Sequence, residues 1–176
     1  MAIVVSDIPT RMAHRPRDQR GYPIPFSQFV DDAGTPDFRT LDDGRTMQCL
    51  QRRLCSLCGE PMGRHIFFVG GPKCVEHGLF YDPPMHRDCA IFAIQTCPHL
   101  ARAKGRYADP APRIFKPGYK HVVGDMDTDK AEWFGLMHGE RFTFGRQPNG
   151  MITIHAKLPW LEVERWRDGA PMESQA

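Results

Sequence analysis

Leu54-Cys55-Ser56-Leu57-Cys58-Gly59, answered further on by Met85-His86-Arg87-Asp88-Cys89-Ala90, decides how this chain is read. The first stretch holds a C-x2-C pair and the second an H-x2-C pair, with 27 residues between Cys58 and His86. Zinc takes four soft or borderline donors in a tetrahedron, and two close pairs supply them from two short turns. Cys55, Cys58, His86 and Cys89 are therefore the expected ligands of one structural Zn2+. A catalytic zinc would keep a position open, and nothing in the spacing asks for one. Two other readings of the same residues exist: a reduced, metal-free set of core cysteines, or, in an oxidising compartment, disulfides among the six cysteines.

Working outward from the first pair, Cys58-Gly59 reads as the tight turn of a zinc knuckle, where glycine lets backbone amides approach the thiolates. His65-Ile66-Phe67-Phe68-Val69 is rich in strand formers and stops at Gly70-Gly71-Pro72, and Leu79-Phe80-Tyr81 makes a second strand. Asp82-Pro83-Pro84 ends that sheet. A helix over residues 86–97 follows, with Cys89, Phe92, Ala93 and Thr96 along one side and Arg87 and Gln95 towards water. His86 and Cys89 then share its first turn, three residues apart and able to converge on one ion. Knuckle, hairpin and helix in this order predict a treble-clef-like module within an α+β fold. Cys74 and His77 lie between the ligand pairs and are expected to support the ligands at most. Glu76-His77 is the nearest local candidate for a histidine-metal nuclease site, but no matching Asn and second His follow it.

The rest of the chain divides around that module. Residues 1–40 read as an extended Pro- and Arg-rich arm, because residues before proline are pushed to extended backbone, with Tyr22, Phe26 and Phe29 as anchors. Residues 41–100 form the zinc-binding module, opened by a short helix over 44–53 capped by Asp42 or Asp43. Residues 101–122 read as a basic linker. Residues 123–176 are expected to pack on the module as a β-hairpin plus helices. One helix, capped by Asp129, would carry Trp133, Phe134, Leu136 and Met137. The hairpin pairs Arg141-Phe142-Thr143-Phe144 with Met151-Ile152-Thr153-Ile154 around Pro148-Asn149-Gly150. A last helix would open at Pro159, carry Trp160, Val163 and Trp166, and end at Gly169. The three tryptophans read as core, with interface anchors as the other reading. Asp125-x-Asp127-x-Asp129 mimics a calcium loop, but Lys130 stands where glycine is required and Leu136 where a glutamate is, so helix capping is the reading.

Sixteen prolines and sixteen glycines in 176 residues point to many turns and extended connections. No apolar run approaches the roughly 18 residues that a membrane helix needs, so none is expected. The N-terminus has no positive region ahead of its short apolar stretch and no small-residue cleavage site, which predicts no secretory signal and a cytoplasmic location with reduced thiols. The net charge of +2 selects no partner, but residues 99–121 alone carry +5. There Arg102, Lys104, Arg106, Lys116 and Lys120 alternate with Tyr107, Phe115 and Tyr119, a mixture that suits phosphates and bases and marks a candidate nucleic-acid contact. A solvated linker is the plainer reading. Neither a nucleotide-binding Gly-rich loop nor a G-x-S-x-G elbow occurs.

Leu54 to Gly63, Phe68-Val69-Gly70-Gly71-Pro72, Asp82-Pro83-Pro84-Met85-His86-Arg87-Asp88-Cys89-Ala90 and Cys97-Pro98-His99-Leu100 together resemble a family of small, uncharacterised proteins from bacteriophages and prophage regions. The likeness is weaker at Arg17-Asp18-Gln19-Arg20-Gly21-Tyr22-Pro23-Ile24-Pro25 and covers about half the chain. It implies zinc binding and a viral or host-defence setting in a bacterial cell, and it carries no catalytic residue. The module also looks like other treble-clef proteins, whose functions range from nucleases to ribosomal proteins, so the fold selects none of them. The leading expectation is a non-enzymatic binding module for a host or phage protein, with DNA or RNA next. A small metal-dependent nuclease or other hydrolase is the alternative, and a structural virion component a third.

Overall fold

The computed structural model describes residues 8–97, 100–101 and 131–173. Within them a 3-10 turn, Thr10–Met12, precedes a hairpin of β1 (Gln28–Val30) and β2 (Pro36–Leu41), then α1 (Asp43–Arg52). Next come β3 (Ile66–Gly70), α2 (Pro72–His77), β4 (Leu79–Phe80) and α3 (Arg87–Thr96). The C-terminal part supplies β5 (Phe134–Gly139), β6 (Phe142–Arg146), β7 (Ile152–Ala156), β8 (Glu162–Arg167) and β9 (Ala170–Pro171). The fold is mixed α+β with a sheet-rich core.

Beside the β1-β2 hairpin, two antiparallel sheets carry the architecture, one in the order β3-β5-β8-β9 and one in the order β4-β7-β6. Side chains alternate across a strand, so register assigns the faces of the larger sheet. Phe67 lies opposite His138, Val69 opposite Leu136, and Leu136 opposite Glu164, which puts these residues on one face. Helix α3 packs on that side, where Arg87 reaches Glu164 at 2.6 Å. Phe68 and Met137 point the other way and meet the smaller sheet. Phe68 stacks on Phe80 of β4 at 4.5 Å, with Phe142 and Trp160 at 6.3 and 5.9 Å completing an aromatic core. Helix α2 sits close on the same side, and a Cβ on Gly135 would lie 2.6 Å from Val75. Trp160 locks this layer, donating its indole N–H to the Val75 carbonyl at 2.8 Å.

Several sequence expectations are met. Helix α1 begins where Asp42 caps it, its carboxylate accepting the Arg45 N–H at 2.8 Å. The Pro148-Asn149-Gly150 turn joins β6 to β7, with Phe144 opposite Ile154. Four expectations are corrected. The stretch holding Phe134, Leu136 and Met137 is strand β5, not a helix. It is buried on both faces, so its apolar run lacks the alternation that marks a half-exposed strand. Val163 and Trp166 belong to strand β8, not to a C-terminal helix, so the described elements of residues 131–173 are all strands. Strands β3 and β4 do not pair with each other, because β3 is taken by β5 and β4 by β7. After the turn expected at Gly70-Gly71-Pro72, in a stretch given no element, residues 72–77 form helix α2, with Pro72 at its start and Gly78 at a φ of 66° at its end. The arm expected over residues 1–40 includes the β1-β2 hairpin, and its Met12 is buried in the main core. The linker residues Arg102, Lys104, Arg106, Tyr107, Phe115, Lys116, Tyr119 and Lys120, and the Asp125 to Asp129 run, lie outside the described residues.

Candidate metal centre

The sulfurs of Cys55, Cys58 and Cys89 and an imidazole nitrogen of His86 all lie within 4.8 Å of one another. Donors around one tetrahedral zinc sit about 3.5–3.8 Å apart, given Zn–S and Zn–N bonds of about 2.3 and 2.0 Å. The spacing of the cluster fits such an ion after small side-chain adjustments. The three cysteines are no more than 1% exposed, and His86 is half-buried.

Local structure explains how each donor is aimed. Leu54 and Pro61 pair as a one-rung bridge, and inside it Cys55 donates to the Glu60 carbonyl at 2.9 Å while Gly59 donates to the Cys55 carbonyl at 2.8 Å. This turn points both knuckle sulfurs inward. Gly59 is obligatory there for two reasons: its φ is +81°, and a Cβ would lie 2.7 Å from the Phe26 ring. Across the site, Phe67 and Met85 exchange both backbone hydrogen bonds at 2.9 Å, which brings the chain from β3 to His86. His86 is the N-cap residue of α3, with extended backbone, and not a member of its first turn as expected. Cys89 follows within that turn.

The imidazole is oriented by its far nitrogen. Nε2 lies 3.2 Å from the Pro61 carbonyl, which can only accept, so Nε2 carries the proton. Nδ1 is then the unprotonated donor, 3.4 Å from the Cys58 sulfur. A histidine ligand held through its other N–H by a carbonyl is the usual support for a bound metal. Two backbone amides also point at sulfur: Glu60 N–H at Cys58 and His86 N–H at Cys55, each at 3.4 Å.

The thiols of the cluster act on one another. Burial opposes ionisation of Cys55, but hydrogen bonds from Cys58, Cys89 and His86 outweigh it and hold its thiol well below the usual range. Those same contacts work against its neighbours. Cys58 is pushed up to about 12, first by its hydrogen bond to Cys55 and then by burial and the Cys55 charge. Cys89 is raised by its hydrogen bonds to Cys55 and Cys58 and by burial. Three sulfurs this close together oppose one another's ionisation, and a divalent cation would offset that cost. The Cys55 thiolate also raises His86, chiefly through their hydrogen bond. Cys49 in α1 is fully buried nearby, and burial followed by the charges of Cys55 and Cys58 pushes it to about 12, which makes it an unreactive core thiol.

Residues that no spacing rule pointed to as parts of the site complete it. Phe26 covers Gly59, and the backbone of Phe26 and Ser27 binds the Leu57 and Ser56 carbonyls at 2.9 Å. Ser56 in turn donates to Pro84 at 3.1 Å, tying the knuckle to the approach of the second ligand pair. Arg11 spans the same gap, 3.2 Å from Glu60 and 3.5 Å from Asp88. Cys74 and His77 are both in α2 and lie outside the four-donor group. Cys74 is half-buried, its thiol raised mainly by burial, and His77 is exposed with Glu76 at 3.7 Å. Among the described residues no second group of three or more ligand-type side chains gathers. No protein-family model, curated protein or solved structure matches the chain.

Proposed function

We propose that the cluster is a structural zinc site of treble-clef type, and that the protein is a non-enzymatic binding module built around it. The observation that carries this reading is the donor set: three sulfurs of negligible exposure and one oriented imidazole nitrogen lie within 4.8 Å of one another, enough to fill all four positions of a tetrahedral zinc. A substrate has no corner to occupy. The one-rung Leu54–Pro61 bridge serves as the knuckle, the Phe67–Met85 bridge as a hairpin reduced to one rung, and α3 as the following helix. Helix α2 and strand β4 are an insertion into that hairpin. Bound zinc supplies positive charge and a cross-link. The residues do the rest, as Pro61 fixes the ring of His86 and the amides of Glu60 and His86 stabilise two thiolates. In this reading the function lies on the surface that the site holds in place, facing a macromolecular partner. The sequence likeness to phage and prophage proteins supports a host or viral partner in the bacterial cytoplasm.

The test is metal content and its proton linkage. Purified protein is expected to hold about one zinc per chain, and binding to release protons from the cysteine thiols. Because zinc binds thiolates and neutral imidazole, metal affinity falls as pH falls. Elemental analysis and calorimetry in buffers of different ionisation enthalpy check both. Well under one equivalent, with a melting curve indifferent to EDTA, refutes the reading.

A further inference from the structure

Two adjoining open grooves, of about 480 and 460 Å³, run along the ends of β6 and β7 beside the C-terminal end of α1 and share Arg53 and Arg141. The first is completed by Met62, Gly63, Arg64 and Glu140, and the second by Phe142, Thr143, His155, Ala156 and Lys157. Four permanent cations thus face one carboxylate, and that carboxylate is already engaged by Arg64 at 2.6 Å. For a chain whose whole charge is +2, this is a strongly one-signed surface.

Register explains the concentration. Thr143 lies opposite His155, and the Lys157 N–H donates to the Arg141 carbonyl at 2.9 Å, so the cations come from neighbouring positions on paired strands. Arg141, Thr143, His155 and Lys157 are all exposed. Arg53 is held differently. It caps α1 in the left-handed conformation at φ 51°, binds the Gly63 and Glu140 carbonyls at 3.1 and 3.3 Å, and lies 5.6 Å over the Phe142 ring. Its guanidinium is therefore pre-positioned and stacked, while Arg141 and Lys157 stand at the rim.

We propose that this groove binds the phosphate backbone of a nucleic acid. A positioned arginine, exposed rim cations and a threonine hydroxyl lining adjoining grooves offer contacts to successive phosphates, and the stacked Arg53–Phe142 pair lies beside them. The Arg-, Lys- and Tyr-rich residues 99–121, at +5, add a second cationic stretch of the composition that favours nucleic acid over an acidic peptide. This inference names the partner of the binding module proposed above and rests on that reading.

The experiment is fluorescence anisotropy of the zinc-loaded full chain with labelled single-stranded DNA and RNA oligonucleotides, with zinc content measured on each sample. Binding is expected to weaken steeply between about 50 and 200 mM salt. The double variant R141E/K157E is expected to bind at least about tenfold more weakly, with a salt slope shallower by about two, and to keep its zinc and its melting temperature. Thr143→Glu, which alters the same strip without touching an ion pair, is expected to weaken binding in the same direction. Absent binding at low salt, unchanged affinity in both variants, or equal displacement by polyglutamate and by unlabelled oligonucleotide would each overturn the groove assignment. None of these outcomes bears on the metal centre, which stands or falls on the zinc equivalents alone.

Discussion

The knuckle region and the sheet region of this protein are held together by different physics. Around the four-donor cluster, order comes from single contacts made once each: a one-rung bridge at Leu54 and Pro61, another at Phe67 and Met85, and the backbone clasp of Ser27 on Ser56. In the sheets it comes from repetition, with five register pairs between β3 and β5 and five more between β5 and β8. Beneath them Phe68, Phe80, Phe142 and Trp160 pack ring against ring. A ladder loses one rung and keeps the rest. A set of single clasps depends on whatever fixes their common centre, and here that is four donor atoms.

The sharpest way to break this contrast is to remove a ligand. Cys89→Ser is expected to abolish stoichiometric zinc and to forfeit most of an apparent binding energy that is on the order of 10 kcal/mol for structural zinc sites at neutral pH. Hydrogen exchange is expected to show lost protection over residues 24–62 while β5 and β8 keep theirs. Uniform loss across both regions would mean that the contrast is only geometric and that the molecule melts as one unit. A smaller effect is expected from Phe68→Ala in the sheet region, about 3–5 kcal/mol by denaturant unfolding, with zinc retained. Loss of zinc in that variant would show the two regions to be coupled. The smallest belongs to Arg146→Ala, which removes the 2.8 Å bond from β6 to Asp43 on α1. Both partners are more than two-fifths exposed, so the cost is expected to stay under about 1 kcal/mol and the melting curve to move little.

How much was legible beforehand follows the same divide. The two ligand pairs, the Asp42 cap and the turn at Pro148-Asn149-Gly150 are local signals, in which a few neighbouring residues determine geometry. The structure places the four donors together at the point those spacings indicate. Strand partners are not local. Nothing between Ile66 and Phe80 says that β3 will pair with a strand almost seventy residues later, and the shorter hairpin is the natural guess. Trp160, Val163 and Trp166 fall at helical intervals, yet Trp160 precedes β8 and turns towards α2, so the interval joins residues of unlike roles. Helix α2 did carry a signal, a proline at its start and a glycine just past its end, over a span too short for periodicity to show. Arg11 and the Pro61 carbonyl carry none, and Phe26 reads only as an anchor of the arm, because their part in the site exists only once the chain has folded back on itself.

That folding back has a consequence for a chain made from its N-terminus. Met12 and Phe26 leave the ribosome long before the donors they cover are complete, since Cys89 is the last of them to emerge. Strand β3 waits longer still, for residues 134–139. Met12 and Phe26 thus spend that part of synthesis without the surface they will lie on, and the arrival of Cys89 is what completes the four-donor cluster beside them.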